Sequence, residues 1–155
     1  MKRIVPILIL LFFLCGCAKT PLDTVLFTAL AKEDSLPAGE TRVYGRMYKN
    51  SMSRDFLTDY FGCAGYPEFP DKIEDMALYT SLVGDYAEVC ILRVYDASDR
   101  YDAALFLERR IASAKYALTV LGKKGYADTA FVETRGNLVA LFMLPDNETV
   151  RKKVF

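Results

Sequence analysis

The 155-residue sequence contains no histidine and no tryptophan, and neither sign of charge is in excess. Without histidine, Ser–His and Cys–His catalysis are impossible, and the commonest zinc ligand and the usual pH switch are missing. The 20 basic and 20 acidic side chains balance, whereas nucleic-acid binders usually carry a basic excess. Glycine-rich phosphate loops and the serine-nucleophile motif G-x-S-x-G are also absent. We therefore predict no cofactor, no metal and no nucleic-acid partner.

The N-terminus has the pattern of an export signal. Lys2 and Arg3 precede an apolar run over residues 4–14. A membrane-spanning helix needs about 20 apolar residues, so this run is too short for a permanent anchor helix, which is the alternative interpretation. A short basic start followed by an apolar run of this length is typical of a secretory signal peptide.

The end of the apolar run resembles a bacterial lipobox, with Leu14, Cys15, Gly16 and Cys17 in succession. The resemblance implies cleavage before Cys17 and a diacylglyceryl thioether on its sulfur, usually with further acylation of its amino group. Two or three acyl chains anchor a protein stably, whereas one chain does not. We predict a signal peptide over residues 1–16, a lipidated Cys17 with a very short tether over 17–19, and a location on the extracytoplasmic face of the cell membrane.

Removal of residues 1–16 would leave 139 residues with 18 basic and 20 acidic side chains, a net charge of −2. Besides Cys17, this mature chain retains Cys63 and Cys90. Outside the cytosol such a pair can form a disulfide. The alternative is two separate buried thiols that behave as small apolar groups. Cys90 lies in a strongly apolar segment, which favours its burial.

Residues 20–155 are predicted to form a single domain, in which caps and apolar periodicity indicate four helices. Thr20 is a candidate cap for the first helix, Ser53 for the second and Asp99 for the third, and glycines follow the second and third. Apolar residues in the third helix recur at spacings of three and four, as expected for one buried stripe. The predicted helices cover residues 21–33, 54–61, 100–121 and a short segment after Asp146.

Four strands are predicted in two hairpins. Residues 76–83 and 87–95 flank a Gly-Asp turn, and residues 130–134 and 138–144 flank a Gly-Asn turn. Short connections of this kind require antiparallel pairing. The expected fold is α+β: a four-stranded antiparallel sheet in the order β-β-α-β-β-α after the N-terminal helices, with helices packed mainly on one face.

Several segments resemble a known family. They are DFLTDYFG at 55–62, ILRVYD at 91–96 and RGNLVAL at 135–141, in the same order around a long helix. In these segments the chain is similar to domain of unknown function 4358, a family of small bacterial lipoproteins. The resemblance implies a lipid-anchored α+β domain. It carries no activity, and no residue inherits a role from it.

A basic segment follows the first predicted helix. It contains Arg42, Arg46, Lys49 and Arg54, interleaved with two tyrosines. Basic residues near a membrane are attracted to anionic lipid, and tyrosines suit an interface. This segment is predicted to contact anionic headgroups or an anionic wall polymer. The alternative is an ordinary solvated loop.

Carboxylates offer the one enzymatic possibility that the composition leaves open. Glu74 and Asp75 precede a strand, and Asp96, Asp99 and Asp102 surround a helix start. A suitably spaced pair of carboxylates hydrolyses glycosidic bonds, whereas acids at a helix start also serve as caps. The predicted function is therefore that of a membrane-anchored lipoprotein that binds or assembles at the cell envelope. The predicted partners are membrane lipid and an envelope protein or an anionic wall polymer. The alternative is a carboxylate-dependent envelope glycan hydrolase.

Overall fold

The computed structural model describes residues 19–31 and 33–155, so the predicted signal peptide and Cys17 lie outside the described residues. The described chain forms an α+β fold with one antiparallel sheet of five strands, in the order β1-β2-β3-β5-β4, and four α-helices. The elements in chain order are α1 (Leu22–Leu30), β1 (Gly39–Gly45), α2 (Arg54–Phe61), β2 (Ile73–Ser81), β3 (Glu88–Val94), α3 (Arg100–Val120), β4 (Phe131–Arg135), β5 (Leu138–Met143) and α4 (Asn147–Val154).

Both predicted hairpins are present. β2 pairs with β3 and β4 pairs with β5, each pair antiparallel, and β3 joins the hairpins by pairing with β5. In the turn between β4 and β5, Gly136 has a φ of 62°. A glycine meets this requirement for positive φ without steric cost, and such a turn matches the twist of the flanking strands.

The prediction of four strands is wrong, because a fifth strand, β1, forms at the edge of the sheet next to β2. Its pairing runs from Gly39↔Ser81 to Gly45↔Asp75. The segment reads GETRVYG and remains largely exposed or half-buried, so it lacks the apolar alternation that marks a strand in sequence. Backbone hydrogen bonds to β2 hold the segment instead. Gly39 lets its backbone lie close to Tyr79, because an added Cβ would lie 2.4 Å from the Tyr79 ring.

The helices cover both faces of the sheet, so the prediction that they pack mainly on one face is also wrong. α2 and α3 pack on one face, and α1 and α4 pack on the other. The physical reason is the central strand β3, in which all seven residues are buried, so that apolar side chains point to both sides. Burial of each large apolar side chain contributes roughly 1.5–3 kcal/mol, which drives both faces to be covered.

Helix starts follow the predictions in part. Ser53 caps α2, since its Oγ accepts a hydrogen bond from the Phe56 amide at 3.1 Å, and Gly62 ends that helix in the left-handed conformation. Asp99 and Thr20 do not cap. The side chain of Asp99 pairs with Lys72, and the residue before α1 is Pro21. The starts of α1 and α3 are therefore held by tertiary contacts, in which the Thr20 carbonyl accepts from Arg93 and Asp99 pairs with Lys72.

Candidate functional site

The candidate site is a cleft of about 590 Å³ at one end of the sheet. Because the strands are antiparallel, the end of β1, the start of β2 and the end of β3 meet at this end. The cleft takes side chains from each of these segments and from the 3₁₀ turn before β2. Its polar lining consists of three tyrosines, an arginine, a serine and two carboxylates: Tyr44, Tyr48, Tyr95, Arg46, Ser51, Asp71 and Glu74.

A closed loop after β1 forms one wall of the cleft. The Met52 amide donates to the Val43 carbonyl at 2.7 Å, and the Gly45 amide donates to the Ser51 hydroxyl at 3.0 Å. Gly45 has a φ of 134° and sits so close to β2 that an added Cβ would lie 3.0 Å from the Cβ of Asp75. These contacts fix the base of the loop, so residues 46–50 project at the end of the sheet.

The structure separates the four basic residues that the sequence grouped. Arg42 pairs with Glu40, and its guanidinium lies 5.0 Å above the centroid of the Phe56 ring. Arg54 pairs with Asp71 and donates to the Pro67 carbonyl. Both are committed to neighbouring groups.

Arg46 and Lys49 lie on the projecting loop, and both are exposed. Neither has an ion-pair partner within residues 19–31 and 33–155. Arg46 also lines the cleft. These two side chains are therefore the basic groups of the predicted patch that remain available to a ligand or surface.

The tyrosines supply neutral hydrogen-bonding groups. Burial raises the pKa of Tyr44, and the nearby Asp71 carboxylate raises it further. Burial also raises the pKa of Tyr48, whose hydroxyl lies 3.4 Å from the Asp23 carboxylate at the start of α1. Tyr95 lies directly after β3 and is 54% exposed. The raised pKa values of Tyr44 and Tyr48 keep both of these phenols protonated at neutral pH.

Each carboxylate in the cleft has a basic partner. Lys19 Nζ lies 2.7 Å from Glu74, and Arg54 pairs with Asp71. The carboxylates near α3 are engaged elsewhere: Lys72 bridges Asp99 and Asp102 at 2.9 and 3.2 Å. These contacts are those of surface ion pairs, which typically contribute little to stability.

Asp96, the remaining carboxylate of the predicted cluster, acts as a local cap. It accepts hydrogen bonds from the amide and the hydroxyl of Ser98, both at 2.8 Å. These bonds lower the pKa of Asp96. Its side chain therefore supports the short turn before α3, which is the capping alternative considered for this group.

Sequence reasoning named Asp75 but missed its contact with Arg93. The two side chains form a buried ion pair at 3.1 Å, and Arg93 also donates to the Thr20 carbonyl at 3.1 Å. Burial raises the pKa of Asp75 to about 6 against the opposing effect of Arg93, and its Oδ1 has no partner among the described residues. The signal available in sequence was an arginine that directly follows the apolar run VCIL within β3.

A second buried polar cluster lies toward the other end of β3. Glu88 accepts a hydrogen bond from the Tyr60 hydroxyl at 2.7 Å and two or more from the Arg110 guanidinium, the shortest at 2.9 Å. The Arg110 guanidinium also lies 5.2 Å from the Tyr60 ring centroid. Burial raises the pKa of Tyr60 well above its usual value. This cluster ties α2 and α3 to the sheet.

Cys63 and Cys90 are held as two free, fully buried thiols in the core beneath α2 and α3. The two thiols are not joined in this structure, and a disulfide between them in the exported protein stays a prediction. Burial raises the pKa of both groups. A thiol is a poor nucleophile unless its pKa is depressed, so neither residue has the properties of a catalytic cysteine.

No group of three or more potential metal-ligating side chains converges anywhere in residues 19–31 and 33–155. Within the same residues, no helix has the length and hydropathy needed to cross a membrane.

The sequence matches no family model, and neither curated proteins nor solved structures yield a match. The resemblance to domain of unknown function 4358 therefore stays a prediction.

Proposed function

We propose that the protein is a lipid-anchored extracytoplasmic protein that binds an envelope component in the cleft. The observation that carries the proposal is the position of the first described residues. Lys19 pairs with Glu74 in the cleft wall, and the Thr20 carbonyl accepts a hydrogen bond from buried Arg93. The chain is therefore fixed to the sheet directly beside the cleft, and the cysteine of the predicted lipobox precedes it by two residues.

The cleft chemistry supports binding of a polar ligand with an anionic group. Arg46 offers a guanidinium without a local ion-pair partner in the described structure, and guanidinium groups bind carboxylate and phosphate in a bidentate manner. Three tyrosines add aromatic surface and hydroxyl groups. Anionic wall polymers and lipid headgroups both carry such groups.

The hydrolase alternative has less support. A general acid for glycoside hydrolysis usually has a pKa raised by burial in an apolar site. The cleft carboxylates, Asp71 and Glu74, instead lie beside basic partners, and Asp71 is largely exposed. The carboxyl group with a raised pKa is Asp75, which is paired with Arg93 and does not line the cleft.

The lipid anchor is tested in a bacterial host that expresses the full chain. Metabolic labelling with an alkyne fatty acid, followed by intact-mass analysis, should show a processed and acylated protein. Cys17→Ser should abolish labelling and leave the leader uncleaved. The matched control is Cys15→Ser, which should still be labelled because cleavage removes that residue. An intact leader on the wild-type protein, or label retained by Cys17→Ser, would overturn the anchor.

The hydrolase is tested with purified cell-wall glycan. The wild-type protein is expected to release no soluble fragments. Release that is lost in Glu74→Gln or Asp71→Asn, at unchanged thermal stability, would replace the binding function with the enzymatic one.

A further inference from the structure

We propose that the end of the sheet where the chain emerges is a bilayer-facing surface, on which the loop over residues 46–50 binds anionic lipid headgroups. We call this surface the tether end and define it by Lys19, loop 46–50 and Tyr95. The inference rests on the proposed lipid anchor at Cys17. It goes further, because it assigns an orientation to the domain and a ligand to the loop.

Strand directions bring these segments together. Gly45 at the end of β1 pairs with Asp75 near the start of β2, and Ile73 pairs with Val94 at the end of β3. The Val94 amide donates to the Asn137 carbonyl, so the turn between β4 and β5 lies at the same end. The loop after β1, the segment before β2 and the residues directly after β3 therefore lie at the same end of the sheet.

The attachment point selects this end. Two residues span at most about 7 Å between Cα atoms, so the Cα of Cys17, the proposed site of lipidation, can lie no farther than that from the Cα of Lys19. The Lys19–Glu74 pair and the Arg93–Thr20 bond hold this part of the chain on the sheet. The opposite end, where β2 turns into β3, is roughly 27 Å away along β2.

Exposed side chains at the tether end have the chemistry of a membrane interface. Met47 and Tyr95 are each 54% exposed. Between and beside them, Arg46 and Lys49 are exposed and have no ion-pair partner among the described residues. Tyrosine, methionine and long basic side chains suit the headgroup region, where an apolar stem meets a polar tip.

The loop over residues 46–50 contains Arg46 and Lys49 and no acid, so the loop itself is net positive. Two neighbouring acids are paired with bases, Glu74 with Lys19 and Asp71 with Arg54. Asp99 and Asp102 share Lys72, and Asp23 and Asp96 have no ion-pair partner among the described residues. An anionic leaflet attracts the basic charges of the loop, which gives the loop charge complementarity with lipid.

The far end offers a rival patch and hence a matched control. The turn between β2 and β3 exposes Leu82 and Val83, and Lys123 approaches Gly84 in the same region. Composition alone does not distinguish this patch from the tether end. The distinction comes from the position of Lys19, so a test must compare the two ends directly.

The absence of tryptophan makes the comparison direct, since one introduced tryptophan is the sole indole. Residues 17–155, carrying Met47→Trp or Val83→Trp, are coupled through Cys17 to maleimide lipid in vesicles of phosphatidylcholine and phosphatidylglycerol. Cys63 and Cys90 are buried and should not compete for the maleimide. Brominated lipids should quench the tryptophan at 47 strongly and leave the tryptophan at 83 unquenched.

The charge requirement is tested on the uncoupled protein by flotation with the same vesicles. Arg46→Ser/Lys49→Ser removes two charges and should lower partitioning roughly 30-fold, whereas Lys123→Ser/Lys124→Ser makes the same change at the far end and should have little effect. Equal quenching at 47 and 83, or equal partitioning of the two double variants, would overturn the inference. Because the lipid is coupled chemically, these experiments test the orientation of the domain independently of lipidation in the host. The proposed anchor is contradicted only if Cys17 is unmodified in the host.

Discussion

Two buried carboxylates in neighbouring strands show how local contacts set the behaviour of an acid. Asp75 and Glu88 are 1% and 2% exposed, and each meets one arginine. Glu88 accepts hydrogen bonds from both Tyr60 and Arg110, whereas one oxygen of Asp75 has no partner among the described residues. Desolvation therefore dominates at Asp75 and raises its pKa to about 6.

The raised pKa of Asp75 predicts a pH dependence of stability. The unfolded aspartate has a pKa of about 3.9, so between about pH 4 and 6 the folded state binds more protons. The contribution of Asp75 to the free energy of unfolding is therefore largest below pH 4, at most about 3 kcal/mol, and it is lost as pH rises through 6. Asp75→Asn should remove this contribution. Urea unfolding of both proteins from pH 4 to 7 measures the difference.

Asp96 provides a control, because its contribution to stability changes with pH in the opposite direction to that of Asp75. Hydrogen bonds from Ser98 lower its pKa, so its contribution to stability is present above the unfolded pKa of about 3.9 and is lost as pH falls below it. The difference between wild type and Asp96→Asn should therefore change only below about pH 4. A wild-type minus Asp75→Asn difference that stays flat between pH 4 and 7 would contradict the assignment at Asp75.

The Glu88 cluster makes a second prediction. Arg110→Met leaves the buried Glu88 carboxylate without its charged partner, which should lower the free energy of unfolding by about 3 kcal/mol. Arg109→Met is the matched control: Arg109 lies 5.5 Å from the Phe106 ring, a contact worth about 1 kcal/mol or less. Chemical denaturation measures both variants, and equal losses would show that Glu88 does not depend on Arg110.

At the scale of the element, α2 depends on its caps because it has only eight residues. Ser53 closes the first turn and Gly62 ends the last, and both positions agree with the sequence. Ser53→Ala should lower the free energy of unfolding by about 1 kcal/mol. Ser35→Ala is the control, since Ser35 bonds only to the neighbouring Glu33 on the surface. A loss as large in Ser35→Ala would argue against a capping effect.

Elements with strong local signals could be predicted, and elements held by tertiary pairing could not. The β4–β5 hairpin carried apolar runs on both sides of a Gly-Asn turn, so its position followed from local chemistry. β1 carries no such pattern, because an edge strand takes its hydrogen bonds from β2 and leaves much of its surface in solvent. The distribution of helices over both faces likewise depended on β3, whose continuous burial only the assembled sheet reveals.

The candidate site was predictable only in pieces. Arg46 was predicted from its basic segment, and Glu74 as a carboxylate, but the cleft joins them to Tyr95 and Asp71 from other parts of the chain. Sequence spacing also grouped Arg42 and Arg54 with Arg46, although these two arginines form ion pairs with Glu40 and Asp71. Local spacing shows which charges occur together, whereas pairing across the fold decides which of them remain available.

At the scale of the whole molecule, the helices enclose a large apolar core on each face of the sheet, and a smaller cluster lies beneath the end of α3. The loops that join the strands lie at the two ends of the sheet, and Lys19 lies at one of these ends. Attachment at one of these ends would therefore present the opposite end to the outside of the cell, with the sheet standing between them.

Thiol reactivity follows from this enclosure and provides the final prediction. Cys63 and Cys90 are fully buried in the core beneath α2 and α3, and burial raises the pKa of both. In the folded protein of residues 17–155, a thiol reagent should label Cys17 alone, whereas in denaturant it should label three thiols. Because the two core thiols become accessible through opening of the core, their labelling rates should rise with denaturant as stability falls. Counting labels by mass distinguishes the outcomes: a single label under denaturing conditions would mean that Cys63 and Cys90 are joined in the exported protein.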